Sequence, residues 1–230
     1  MTNIIIMVTI LIGSYLLGSI PFGLIMGKLN GIDIREHGSK NIGSTNAIRV
    51  LGKPKGLTAF IFEVLKGAAP IILVKILEAN GLFTSPLSFD GTTIYILYGA
   101  PAIIGHVLPI YLKFKGGKAI AVSLGVVLSV TPIPGVLCLV AFALLLGTTG
   151  YSSLGSTAAT FTVVISTWIL YFDNSFGHQK DTVTAILYSI LACLLIFKHR
   201  TNYKRLLNGT ESSFKKKKET KQENKEEVSE

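Results

Sequence analysis

The sequence predicts an all-α, polytopic membrane helix bundle of seven transmembrane helices, with the N-terminus outside and the C-terminus in the cytoplasm. Three observations carry this. First, 49% of the 230 residues are hydrophobic and only 15% are charged, against about 25% charged in soluble domains; mean hydropathy is +0.54. Second, the apolar residues fall into runs near the ~20 residues that a helix needs to cross ~30 Å of hydrocarbon. Third, Lys and Arg concentrate in alternate connecting loops, as they do on the cytoplasmic side of membrane proteins.

The first run, Ile4 to Met26, has no basic segment before it and is too long for a signal peptide, so it is read as a retained span. The loop that follows, Lys28 to Gly56, carries Lys28, Arg35, Lys40, Arg49, Lys53 and Lys55 against Asp33 and Glu36. It therefore belongs in the cytoplasm, which puts the N-terminus outside. Leu57 to Leu77 forms the second span, within which Glu63 and Lys66 pair on one helix face. Glu78 to Thr92 has no basic residue and lies outside. Thr93 to Leu112 returns to "KFKGGK", Lys113 to Lys118, inside.

The run from Ala119 to Leu146 contains "SVTPIPGVL", where Pro132, Pro134 and Gly135 interrupt a helix. It is either one kinked span or a hairpin with halves of about 13 and 14 residues, the latter tilted or re-entrant. Only the hairpin brings the basic segment "KHRTNYKRLLNGTESSFKKKK" inside after the last two spans, Leu154 to Phe172 and Thr182 to Phe197. Residues 1-211 then form a single integral membrane domain. Residues 212-230 are expected to be a charged, disordered cytoplasmic tail, so that deleting Phe214 to Glu230 should matter little. Cys138 and Cys193, each inside an apolar run, read as core residues and not as metal ligands or a disulfide.

This topology gathers four polar segments on one face: "HGSKNIGSTNAIR", "FKGGKA", "YSSLGS" and "HRTNYKRLLNGTE". Glycines expose backbone N–H groups and permit the positive-φ conformations from which anion nests are built. Ser39, Asn41, Ser44, Thr45 and Asn46 add neutral donors, while Arg49 and Lys118 add charge, the arginine in a form suited to bidentate phosphate contact. The combination reads as a phosphate cradle. "KGGK" lacks the spacing of a nucleotide-binding loop. Asp33 and Glu36 are the only carboxylates near the first segment, and His37, His106 and His199 are far apart, so neither a metal nor a cofactor is expected. The positive charge lies at span ends and in the tail, which suits membrane anchoring and not nucleic acid. His106, ending an apolar run, reads as structural. His199 opens a polar series with Asn202, Arg205, Gly209 and Glu211, placed to act as a base or to orient a hydroxyl.

At these residues the sequence resembles the bacterial acyl-phosphate:glycerol-3-phosphate acyltransferases, small polytopic enzymes of phospholipid synthesis. The likeness runs through "YLLGSIPFG", "GSKNIGSTNAIRVLG", "FEVLKGAAP", "GHVLPIYLKFKGGKAIA" and "HRTNYKRLLNGTE", nearly the whole chain before the lysine tail. Departures are Lys40 where glycine is usual, Ser44 for alanine, Glu63 for aspartate, and Ala119 and Val122 for glycine and threonine. The resemblance implies transfer of a fatty acyl group from acyl phosphate to the 1-hydroxyl of glycerol 3-phosphate, without acyl-CoA or acyl carrier protein as donor. By matching positions it implies that Ser39, Arg49, Lys118 and Asn202 grip glycerol 3-phosphate, and that the Gly43 to Asn46 backbone and Ser153 hold the acyl phosphate. His199 orients or deprotonates the hydroxyl, and Arg205 and Glu211 fix the last motif. Asn41, Gly116 and Gly117 complete the substrate-binding set, and His199, Lys118 and Arg49 form the catalytic one. Partners are then the two substrates and membrane lipids, with no obligatory protein partner. A transporter for a phosphorylated metabolite is the competing class, but transporters place polar groups near mid-membrane on broken helices, whereas here the polarity is stacked at one interface.

Overall fold

A computed structural model describes residues 1–87, 92–172 and 181–215. Among them no strand occurs. The helices are α1 (Thr2–Ser19), α2 (Phe22–Lys28), α3 (Ser44–Leu51), α4 (Lys53–Ala79), α5 (Thr93–Val107), α6 (Ile120–Val130), α7 (Pro132–Thr149), α8 (Ser152–Phe172), α9 (Thr182–Lys198) and α10 (Arg200–Leu207), with a 3-10 turn at Ile110–Leu112. Five of these are long and apolar enough to cross a membrane: α1, α4, α5 with its 3-10 extension, α7 and α8. A sixth is formed if α9 and α10, bent by 49° at His199, count as one span. The eleven residues of α6 rise only ~16 Å, about half a hydrocarbon core.

The expected first span is corrected. It stops at Ser19, because Pro21 has no N–H and forces Ile20 into extended backbone (φ −68°, ψ 118°). The carbonyl so released accepts a hydrogen bond from Lys66 Nζ at 2.6 Å, and the chain resumes as α2. The run from Ala119 to Leu146 also divides differently from the expected halves, at Thr131, into helices of 11 and 18 residues. Pro132 opens α7, where a missing N–H costs nothing. The entrance to α6 and the exit of α7 lie at the same end of the bundle. Lys118 bonds Asn202 and Asn202 bonds Glu211, while Arg49 reaches both Ser152 and Ser212. The two helices therefore go out and come back.

Apolar burial gives little drive for helix association in lipid, so close packing must supply it. Small residues do this at two crossings. A Cβ on Gly18 would stand 2.3 Å from the Ala102 carbonyl, and one on Gly105 would stand 2.3 Å from that of Tyr15, which brings α1 and α5 into backbone contact. Gly67 against Val122 and Gly125 against Val64 do the same for α4 and α6. Large apolar side chains such as Ile12, Ile76, Val140, Leu144 and Ile165 face outward. Cys138 is buried as expected, but Cys193 is exposed on α9, so it is not a core residue.

At the opposite end from the polar segments, Asp181 caps α9 and ties it to α5. Its carboxylate accepts from the N–H and hydroxyl groups of Thr92, Thr93 and Thr184, at 2.7 to 3.1 Å. Burial alone would raise its pKa, but these donors outweigh it and hold the carboxyl below its ordinary value. Stability from this clamp is thus fully present above the unfolded value near 3.9 and lost as pH falls through the lower folded one. Replacing Asp181 by alanine should destabilise the protein by about 1–2 kcal/mol, as for a lost N-cap. A melting curve in detergent checks this, and the deficit should shrink below pH 4.

Candidate active site

The segment His37 to Gly52 is not a plain loop, since half of it is α3. Gly43 is extended (φ −77°) and precedes the helix, whose first bonds run from the Asn46 and Ala47 N–H groups to the Gly43 carbonyl. The N–H groups of Ser44 and Thr45 are left with no acceptor inside the helix, the arrangement that binds anions at helix N-termini. The turn before α3 is held from within by Asn46. Its Nδ2 donates to the carbonyls of Ile34 (2.7 Å), Asn41 (2.9 Å) and His37 (3.1 Å), and its Oδ1 accepts from the Ser39 N–H at 2.8 Å. With its side chain occupied and only 1% exposed, Asn46 shapes the cradle. Lys40 has φ +59°, a left-handed conformation that explains why the family resemblance expects glycine there.

The charged groups form a row across the rim. Arg49 Nη2 donates to Ser152 Oγ (3.1 Å) and the Ser212 carbonyl (2.9 Å), and the guanidinium lies 4.6 Å from the centre of the Phe214 ring. Lys118 Nζ donates to Asn202 Oδ1. Asn202 Nδ2 donates to Glu211 Oε1 at 2.6 Å, and Arg205 Nε to Glu211 Oε2 at 2.8 Å. Arg49, Lys118 and Arg205 share the rim with the Glu211 carboxylate, an excess of positive charge that suits anions. Burial pushes the Lys118 ammonium down to about 8. His199, 3% exposed, donates from Nδ1 to the Leu195 carbonyl at 2.8 Å. Nε2 therefore keeps its lone pair. Burial, and then the charge of Lys118, hold this imidazole down to about 4, so it is neutral at physiological pH.

Behind the rim, Glu63 pairs with Lys66 (2.7 Å), as expected for a helical pair, and also with His106 Nδ1 (2.9 Å). Gly116 and Gly117 wrap this histidine. A Cβ on Gly116 would stand 2.1 Å from the His106 carbonyl, and one on Gly117 would stand 2.2 Å from its Nε2. Both positions need glycine for closeness, since positive φ in this turn falls on Lys113, Phe114 and Ala119.

A cavity of about 360 Å³ joins these elements. At the rim its wall includes Ser39, Asn41, Gly43, Ser44, Thr45, Asn46, Arg49, Lys118, Ser153, His199 and Asn202. Below, it is lined by apolar side chains of α6 to α9, among them Leu124, Val127, Cys138, Phe142, Val163 and Leu195. Ser153 Oγ is buried there without a partner among the described residues. Gly116 and Gly117 sit behind the wall on His106, and Arg205 and Glu211 reach it through Asn202. The sequence reading missed Ser152, whose hydroxyl meets Arg49, and Phe214, which also lines the cavity. The first residues of the expected tail are bonded to the bundle: Phe214 N–H donates to the Gly150 carbonyl at 2.9 Å and Lys215 Nζ to that of Thr148. Residues 216–230 lie outside the described residues, as do residues 88–91 of the stretch Glu78 to Thr92 expected outside and residues 173–180 between the last two expected spans. Among the described residues no three His, Cys, Asp or Glu side chains gather as a metal site would require.

Fold and cavity together define an integral membrane helix bundle with a cationic, N–H-rich rim at one end and an apolar cavity below it. The chain belongs to the glycerol-3-phosphate acyltransferase family, whose profile matches residues 8–209. The glycerol-3-phosphate acyltransferase of Acholeplasma laidlawii is 41% identical over 219 residues, covering 90% of this chain and 93% of its own. That of Desulfotalea psychrophila is 42% identical over 204 residues, covering 89% and 96%. Crystal structures of PlsY (YgiH), an integral membrane glycerol 3-phosphate acyltransferase, superpose with TM-scores of 0.76 in the glycerol 3-phosphate form and 0.74 in the lysophosphatidic acid form. Sequence identities are 31% and 30%, over 90% of this chain and 94% of those.

Proposed function

We propose that the protein transfers a fatty acyl group from acyl phosphate to the 1-hydroxyl of glycerol 3-phosphate, giving lysophosphatidic acid and inorganic phosphate, the first committed step of phospholipid synthesis. The observation that carries this is the single cavity that joins a cationic, N–H-rich rim to apolar walls, since an acylated phosphate needs both surfaces. The PlsY relatives, described in a glycerol 3-phosphate form and a lysophosphatidic acid form, support an acceptor and a product of this kind.

Acyl phosphate is a mixed anhydride with a good leaving group, so no acyl-enzyme is required. The protein holds two phosphates side by side, aligns a hydroxyl with a carbonyl carbon and stabilises the oxyanion. Ser39, Arg49, Lys118 and Asn202 take the glycerol 3-phosphate, while Ser153 and the α3 N-terminus take the acyl phosphate. The hydroxyl oxygen bonds to the acyl carbon, the carbon–oxygen bond to phosphate breaks, and phosphate leaves. His199 orients the hydroxyl through Nε2, which keeps its lone pair because Nδ1 donates to the Leu195 carbonyl, and the leaving phosphate carries the proton away.

In this reading the chain crosses the membrane seven times, with α6 as a short crossing paired to α7, the N-terminus outside and the site at the cytoplasmic face of a bacterial cell membrane. Loop charge supports the orientation. Incubating detergent-purified protein with palmitoyl phosphate and labelled glycerol 3-phosphate should yield lysophosphatidate and phosphate in equal amounts. Product from palmitoyl-CoA alone would overturn the donor assignment, and no product from either would overturn the function.

A further inference from the structure

The residues after Glu211 lie beyond the stretch that the family profile matches, residues 8–209, yet they close one side of the site. Arg49 stands in the last turn of a helix of only eight residues, and its side chain reaches Ser152 on α8. Two of its partners, Ser152 Oγ and the Ser212 carbonyl, meet the same nitrogen, Nη2. Both N–H bonds of Nη2 lie in the guanidinium plane, so these contacts hold one edge of the group between α8 and the segment after Glu211. The Phe214 ring, 4.6 Å away, adds a contact of another kind, because a cation over an aromatic face is attracted by the ring quadrupole.

Phe214 is itself held in place. Its N–H bonds the Gly150 carbonyl, and Lys215 bonds Thr148 through its side chain and Ser213 Oγ through its N–H. Gly150 has φ +77°, and a Cβ there would stand 2.5 Å from Ser213 Oγ. The α7–α8 turn is thus shaped to receive the strap Ser212 to Lys215. Phe214 also lines the cavity, so the ring and the phosphate-binding groups border the same space.

We propose that Phe214 is a positioning residue that orients the Arg49 guanidinium toward the phosphate of glycerol 3-phosphate. This rests on the reading that Arg49 grips that phosphate. An arginine oriented before binding spends less conformational freedom on binding, so the ring acts on affinity for the acceptor and not on the chemical step.

Equilibrium binding of labelled glycerol 3-phosphate to the full-length protein in detergent, alongside steady-state kinetics, tests this. Phe214→Leu, which keeps the apolar bulk but not the quadrupole, should raise both Kd and KM for glycerol 3-phosphate about five- to tenfold, with kcat and the KM for acyl phosphate unchanged. Phe214→Trp should bind within about twofold of wild type. A chain ending at Lys215 should match the full chain, whereas one ending at Ser213 should reproduce the leucine variant. Wild-type affinity in Phe214→Leu, or an equal loss in the leucine and tryptophan variants, overturns the positioning role while leaving the acyltransferase reading intact. Normal binding differences without acyl transfer by the wild type overturn that reading instead, and a wild type that binds no glycerol 3-phosphate overturns both.

Discussion

Replacing His199 by alanine is expected to lower kcat about 100-fold, the size of loss that misalignment of a reacting group produces, with little change in folding. The ring makes one hydrogen bond, to the Leu195 carbonyl of its own helix, so its removal strands one backbone acceptor at a helix end. What is lost is the Nε2 acceptor for the attacking hydroxyl. If orientation is its role, His199→Gln, whose carbonyl also accepts a hydrogen bond, should recover most of the rate, to within about tenfold of wild type. A glutamine variant as slow as alanine would show that the ring must take the proton. In the free protein, burial and the Lys118 charge hold the imidazole down to about 4, while bound phosphate favours its charged form. If a phosphate carries the proton, an acid limb of kcat/KM near pH ~6 should persist in His199→Gln.

Lys118→Met should cost about 100- to 1,000-fold in kcat/KM, the range for removing a group that stabilises developing or bound negative charge in a dry site. Two effects combine. The substrate phosphate loses a cation, and Asn202 loses the donor to its Oδ1, keeping its bond to Glu211. The pH dependence gives an independent check. The ammonium is the charged form, so raising pH through about 8 discharges it, and kcat/KM should fall about tenfold per unit above that value. In the complex, phosphate charge favours the ammonium, so the alkaline limb of kcat should lie at higher pH than that of kcat/KM. Lys118→Arg should abolish the limb, because a guanidinium does not titrate below ~12. An unchanged limb in that variant would remove Lys118 from the assignment.

Much of the candidate site was legible because polar residues are costly in lipid and accumulate where the chain leaves it. Charge parity alone placed the first segment, "FKGGKA", "YSSLGS" and the last motif on one face, and the cavity gathers residues from all four. The function of individual residues was less legible. Asn46 has the composition of a ligand, yet its side chain bonds only the turn around it. Gly116 and Gly117 have the look of an anion nest, yet what they need is closeness to His106. Pro21 was visible inside the first apolar run, but hydropathy averages over a proline and carried the span past the break. Phe214 was absorbed into a charged tail, because composition weighs the lysines after it and is blind to the one ring that folds back.

From the sequence alone follow the membrane class, the approximate apolar runs, the common face of the polar segments and the family. Hydropathy, charge and motif spacing are properties of contiguous stretches, and they survive without coordinates. Only the tertiary structure decided which polar group meets which. Arg49 finds Ser152 and Ser212 at separations of 103 and 163 positions, and Lys118 finds Asn202 at 84. Such pairings are set by where helix ends come to rest after packing, and no local pattern encodes that.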